Sequence, residues 1–580
     1  MSTSPAQTQT PDLDPSGGKP LRPPLTLQRT RLLAILAIIV ALVPVGMWQT
    51  GMSPLALVQS LGDLANLAGR MWPPSFAEWP RYVDALLVTV YMVLAGTALA
   101  IAISIPVSIL AARNTTTGRI AYSVSRAVIV FTRSVPDIVF ALIFVRVVGI
   151  GPIAGVLAIA INSIGMVGKF YSDAVEEVDP GPLEALQAAG ARRLQVFTSG
   201  VLPQVLTSWI ALALYRVDIN VRSAVILGYV GAGGIGLELQ RVQGQLAYSR
   251  VLTIVLIILA LVIIVEQLSG AIRRTLLGEA DDGENPFKLR NRLRRRRAQA
   301  DATQRSSQPS VGAAQLNSTG RIREPWTRVR RKKWAFALLG VVLVLVSFAQ
   351  LEVSLARYIA SIENLLVLLA LMVPPDFLTN IDRTITQLVE TFWIAITATG
   401  LGVLLSIPFA VLGARNVSPS PAIYRLSRLV MVGVRGIPEL ILAVLFVVAV
   451  GLGPFAGVMA LTIGAIGLTG KLMADALESL PLGRVQEGLA STGAGWLQRT
   501  VSGVIPQAMP SMVGVGLYTF DVYIRAATIL GVVGAGGIGN MLDSTIGQRQ
   551  WDRMAAVIII IFVAIYAVER FSGWIRKQLI

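Results

Sequence analysis

Arg133 and Asp137 stand four residues apart in the apolar string FTRSVPDIVF, and the same spacing returns as Arg435 with Glu439, Asp218 with Arg222, and Asp521 with Arg525. Charged side chains in apolar segments are costly in hydrocarbon and face a bundle interior or a water-filled route. Residues four apart share one helix face, so each spacing predicts an opposite-charge pair. Two readings stay open: the pairs neutralise one another as structural elements, or the four arginines line a route and transiently balance an oxyanion, which a guanidinium matches bidentately. Half-satisfied arginines suit such a route better than bare ones, because a transported anion must also leave.

Other chemistry is narrowed by composition. The 580 residues include no Cys and no His, which removes thiolate nucleophiles, Cys/His zinc sites and histidine proton relays. No catalytic residue and no metal site is expected. The strings GMVGKF and GLTGKL, around Lys169 and Lys471, lack the spacing and the hydroxyl of a phosphate-cradling loop. GAGGIG formally matches a dinucleotide fingerprint, but the preceding strand and the following acid that such a site needs are missing. Its small residues read as places where helices approach closely.

The elements that must position these charges are repeated. ILGYVGAGGIG at 226–236 returns as ILGVVGAGGIG at 529–539, AARN at 111–114 as GARN at 413–416, and GIGPIAG at 149–155 as GLGPFAG at 451–457. The offset is 302 or 303 throughout, the mark of a tandem duplication, and a membrane protein of two like halves places its working site at their interface. Residues 54% hydrophobic and 14% charged, with mean hydropathy +0.66, require a bilayer as solvent. Apolar stretches near the roughly 20 residues that cross a membrane occur near 31–49, 84–112, 126–149, 152–171, 199–223 and 250–272. Their counterparts are near 334–351, 386–414, 427–450, 453–471, 504–524 and 553–572. The expected fold is all-α, with about twelve transmembrane helices in two parallel repeats of six.

Residues 1–30, rich in Pro, Ser and Thr, read as a disordered tail before a retained first helix. The first repeat then covers 31–272, a basic linker 273–333 and the second repeat 334–580. Between Arg273 and Lys333 lie 17 Lys/Arg against 6 Asp/Glu, including Arg294 to Arg297 in a run. By the positive-inside rule this linker and both termini are cytoplasmic. Anionic lipid heads account for its charge without a nucleic-acid partner.

Between the fourth and fifth stretches of each half comes a segment that hydropathy does not require: EALQAAGARRLQVFTSGVLPQ, and its copy EGLASTGAGWLQRTVSGVIPQ. Glu184, Gly190 and Pro203 in the first match Glu487, Gly493 and Pro506 in the second. Each reads as a short helix weakened at glycine, with a turn before a proline that opens the next span. This pattern resembles the EAA loop of permease subunits of ATP-binding-cassette (ABC) importers. Ala185 keeps the first alanine, Gly488 replaces it in copy two, and Leu186 and Leu489 replace the second.

A closer resemblance, to the phosphonate importer permeases, runs through GKFYSDAVEEV, EEVDPGPLEALQAAGARRLQVFTSGVLPQ and YRVDINVRSAVILGYVGAGGIG, with divergent counterparts in the second half. It implies a type I ABC importer (MetI-like) permease fold, two such units fused head to tail. It also implies a phosphorus oxyanion (phosphonate, phosphate or phosphite) as cargo, carried inward across the plasma membrane by alternating access. Implied partners are two ABC ATPase subunits, which bind ATP and Mg while this chain holds no cofactor, an extracytoplasmic substrate-binding protein, and membrane lipids. An ABC permease for another solute such as methionine, and a secondary transporter or channel, are the alternatives.

Overall fold

The computed structural model describes residues 37, 41–277, 328–351 and 355–579. The tail at 1–30 and most of the basic linker lie outside them. The first half comprises α1 (Pro54–Met71), α2 (Trp79–Ala111), α3 (Arg119–Ser134), α4 (Asp137–Val148), α5 (Pro152–Glu176), α6 (Pro180–Ala188), α7 (Leu202–Leu227), α8 (Gly234–Gly244) and α9 (Tyr248–Leu277). The second comprises α10 (Arg328–Gln350), α11 (Leu355–Leu371), α12 (Ile381–Leu412), α13 (Pro421–Gly436), α14 (Glu439–Val450), α15 (Pro454–Ser479), α16 (Gly483–Ser491), α17 (Ile505–Val532), α18 (Ile538–Gly547) and α19 (Trp551–Leu579).

Among the described residues eight helices are long and apolar enough to cross a membrane. Two further stretches, near 126–149 and 427–450, are broken: α3 meets α4 at 92° and α13 meets α14 at 80°. Pro136 and Pro438 cause the breaks. Proline has no N–H for the helix ladder and pushes the residue before it to extended backbone, as at Val135 (ψ 126°) and Ile437 (ψ 118°). Of the remaining two expected stretches, 334–351 is a 17-residue apolar helix, Trp334–Gln350, and 31–49 is described only at 37 and from 41 onward.

The halves exchange their first helices. Gly46 in the helical stretch 41–49 lies so close to α12 that a Cβ there would sit 2.2 Å from Thr397 Oγ1, and Gly400 would likewise meet Val43. In return α10 packs on α2, α1 on α14 and α11 on α4, where Asn364 Nδ2 donates to the Val147 carbonyl at 3.2 Å. One apolar core therefore threads both halves, with α5 and α15 at its centre.

The repeated motifs have definite structural duties. Asn114 Nδ2 donates to the Val175 carbonyl at the end of α5, and Asn416 Nδ2 does the same for Leu477 at the end of α15 (2.8 Å). These bonds satisfy carbonyls that a helix terminus orphans. GAGGIG is a helix reversal: Gly233 and Gly536 (φ 85° and 80°) turn the chain back so that α8 and α18 run beside α7 and α17. A Cβ at Gly236 would sit 2.1 Å from the Val225 carbonyl, so only glycine permits the approach. Gly151 N–H donates to the Gly231 carbonyl and Gly453 N–H to that of Gly534, both at 3.0 Å. The two glycine-rich repeats are thus stitched to each other in each half, at the end of the bundle opposite α6 and α16.

At this glycine-turn end Asp376 accepts from the N–H groups of Thr379 and Leu378 and from Arg553. Led by the Thr379 bond, these hold its pKa at about 2, below the ordinary 3.8. A depressed folded pKa contributes stability that is complete above the unfolded value and is lost as pH falls through the folded one. The thermal midpoints of wild type and Asp376→Asn should accordingly differ at neutral pH and converge as pH drops from about 4 to about 2. A constant difference across that window would remove Asp376 from the stability of this rim.

Candidate transport route and coupling segments

The two coupling-type segments are built alike. Glu184 and Ala185 sit on α6 and Glu487 on α16, all three exposed. Gly190 and Gly493 end these helices with φ 77° and 78°, the left-handed stop that glycine adopts without strain. Short helices at Arg193–Val196 and Trp496–Arg499 follow, then a single wide turn at 197–201 and 500–504. Pro203 and Pro506 lie just beyond. Having no N–H, they loosen the ladder, and Leu202 and Ile505 donate five residues back, to Phe197 and Thr500. The helices seat on these turns through Gly200, which faces Leu183 and Leu186, and Gly503, which faces Val485 and Leu489. Leu194 (74% exposed) and Leu497 (64%) protrude from the segments, a hydrophobic surface on each that no described residue covers.

The expected charge pairs are realised in one case of four. Asp218 and Arg222 pair at 3.1 Å on α7. Arg133 and Asp137 do not pair, because the break at Pro136 places them on separate helices, and Arg435 and Glu439 are parted by Pro438 in the same way. Arg133 instead pairs with Glu569 on α19, and Arg435 lies 4.0 Å from Glu266 on α9. Each ion pair crosses between the halves, and the two are related by the internal repeat. Asp521 also turns from its expected partner Arg525 to Arg576, at 2.9 Å.

Asp137 and Glu439 occupy the first turns of α4 and α14. There the positive end of the helix dipole favours a carboxylate. Across the interface Glu439 interacts electrostatically with Arg222 of the other half, and Arg525 with Asp137. All eight charged residues expected from the sequence therefore gather where the broken spans of the two halves meet. Arg133, Arg222 and Arg435 each keep a buried Nε without a partner, so their donor capacity is only partly used.

Close glycines hold the breaks in place. A Cβ at Gly165 would come 2.7 Å from Arg133 N, and one at Gly467 would come 2.5 Å from Arg435 N. Because the obstacle is backbone, Gly467→Val should displace Arg435, cost about 1–3 kcal/mol and lower transport several-fold. Uptake normalised to monodisperse protein would measure this, and wild-type uptake would mean that Arg435 is not held by this contact.

The sequence reading missed Glu266, Glu569, Arg576 and the buried Arg216. The first two carried a usable signal, since VEQLSG at 265–270 returns as VERFSG at 568–573, a carboxylate at the same depth of each last span. Arg216 carried none, because the second half has Thr519 in its place.

A duplicated helical core with a broken span, a glycine reversal and an exposed short-helix segment in each half defines a polytopic membrane protein made of two like units. The sequence profile described as binding-protein-dependent transport system inner membrane component matches residues 104–277 and again 402–580. The chain is similar to the phosphate-import permease protein PhnE of Mycolicibacterium smegmatis, 41% identical over 92% of this chain and 93% of that protein. It is similar to the phosphite transport system permease PtxC of Stutzerimonas stutzeri, 40% identical over 42% of this chain and 89% of the relative. It is also similar to the putative cryptic phosphonate transport system permease PhnE2 of Escherichia coli, 39% identical over 20% of this chain and 97% of the relative. The chain belongs to the binding-protein-dependent inner membrane component family. It is the membrane-spanning permease of an ABC importer, a transport subunit with both permease units in one polypeptide.

Proposed function

We propose that this permease imports a phosphorus oxyanion (phosphate, phosphite or phosphonate) by alternating access. The observation that carries the reading is the match along nearly the whole length of a phosphate-import permease, supported by the arginines gathered where the broken spans meet. Two ABC ATPase subunits bind ATP and Mg and seat on the segments around Glu184, Ala185, Gly190 and Pro203 and around Glu487, Gly493 and Pro506. A separate substrate-binding protein delivers cargo at the glycine-turn end. The end carrying α6 and α16 faces the cytoplasm, as do both termini and the basic linker, whose charge favours that side.

In this account nucleotide binding draws α6 and α16 together, and the rigid turns at Gly190 and Gly493 pass the motion into α7 and α17, which carry Asp218, Arg222, Asp521 and Arg525. Arg133 and Arg435 stand at the hinge of each broken span and offer partly used donors to the passing anion. The partner carboxylates keep binding weak enough for release. Cells expressing the complete system should take up labelled phosphate, phosphite or methylphosphonate, with each competing against the others and methionine not competing. Uptake of methionine with no oxyanion uptake would move the chain to the other class of cargo.

A further inference from the structure

Arg216 is a buried guanidinium with no ion pair among the described residues. It lies on α7 at 5% exposure. Its Nε donates to Ser163 Oγ at 2.9 Å and its Nη1 to Met166 Sδ at 3.1 Å. Its Nη2 is buried with no partner. The supporting groups are themselves locked: Asn220 Nδ2 donates to Ser163 Oγ at 3.1 Å and to Thr97 Oγ1 at 2.8 Å. A buried cation in a membrane interior is costly unless an anion or a hydrogen-bonding network compensates it. Here the network stops one donor short.

The nearby carboxylate does not fill the gap. Asp137 interacts with Arg216 through space but makes no ion pair with it, and it stands in the first turn of α4. On its other side Arg525, from the second half, also lacks a bonded acid, because Asp521 is taken by Arg576.

The arrangement exists once. The positions equivalent to Arg216, Ser163, Asn220 and Met166 are Thr519, Ala465, Tyr523 and Leu468. Thr519 there shares a bond with Thr469 and donates to the Val515 carbonyl, both at 2.9 Å.

We propose that Arg216 is a single oxyanion-binding site of the permease, belonging to the first half alone, in which an oxygen of a phosphate or phosphonate accepts from Nη2 while Ser163, itself held by Asn220, holds the guanidinium. The proposal rests on the phosphorus-oxyanion reading above. It predicts one bound anion per chain despite the internal repeat.

The test uses the complete transporter in proteoliposomes with labelled inorganic phosphate and methylphosphonate, normalised to assembled complex. Arg216→Gln should lower uptake of both at least about tenfold, the effect of losing a charged hydrogen bond, and Arg216→Lys should restore part of it. Ser163→Ala, which keeps the charge and loosens its support, should raise the half-saturating phosphate concentration several-fold. It serves as the deciding variant if Arg216→Gln does not assemble. Thr519→Val should transport as wild type. Wild-type uptake by assembled Arg216→Gln, an unchanged half-saturation in Ser163→Ala, or an equal loss in Thr519→Val would overturn the site. Failure of the wild type to move any phosphorus oxyanion would instead overturn the cargo assignment.

Discussion

Reversing the charge at both Glu184 and Glu487, in the double variant Glu184→Arg/Glu487→Arg, should abolish ATP-driven uptake while leaving the permease folded. Both side chains are exposed, and α6 and α16 bury none of the residues described on them, so the fold loses no internal contact. What changes is the face that the proposed docking offers to the ATPase. Like charges brought together at an interface cost several kcal/mol, and two such sites per chain should reduce coupled transport about a hundredfold or more. Co-purification of the ATPase with the variant, read beside uptake, separates lost docking from lost folding. Undiminished uptake by the double variant would show that these segments are not where the motor engages.

The second large effect concerns the ion pairs that cross between the halves. Glu569→Gln strands Arg133 without its carboxylate, and removing one member of a fully buried pair typically costs about 3–5 kcal/mol. Water reaching these partly exposed side chains lowers that figure. Glu569→Gln should therefore lower the yield of intact transporter and uptake about tenfold. The exchanged variant Arg133→Glu/Glu569→Arg should recover much of the loss, because the pair is remade with opposite sense. A double-mutant cycle isolates that coupling. Additive losses, with no recovery on exchange, would mean that the two residues do not work as a pair.

The duplication was legible because its motifs carry backbone duties: Asn114 and Asn416 close helix ends, and Gly233 and Gly536 need positive φ, so their identities resist change in both halves. Clustering of the charges was legible too, since carboxylates and guanidiniums in apolar stretches have few stable places. Their partners were not. Hydropathy runs through Pro136 and Pro438 without registering a break, and a helix-spacing rule applied across that break pairs Arg133 with Asp137. The true partners, Glu266 and Glu569, sit more than a hundred residues away in the opposite half, and local spacing cannot reveal a contact made by exchange between repeats.

Arg216 escaped for a different reason. The repeat marks what the halves share, and Arg216 lies in what they do not share, with Thr519 at the equivalent position. The same asymmetry recurs below it: Tyr171 stacks on Trp209 with ring centres 4.5 Å apart, where the second half has Met473 and Met512. The glycine-turn end differs as well, with Glu78 bound by Arg241 (2.6 Å) and Arg250 (2.5 Å) in the first half and Asp376 with Arg553 in the second. One chain has thus kept two similar frames and specialised their linings, which two identical subunits could not do.

Reconstitution tests the central claim most directly. The purified chain is placed in liposomes with its ATPase and binding protein, and labelled phosphate is followed with ATP supplied on the side of α6 and α16. The account predicts saturable accumulation that requires ATP, the ATPase and the binding protein together, with one copy of this chain per transporter. Phosphate accumulation by the chain alone, or a functional unit that needs two copies of it, would contradict the account.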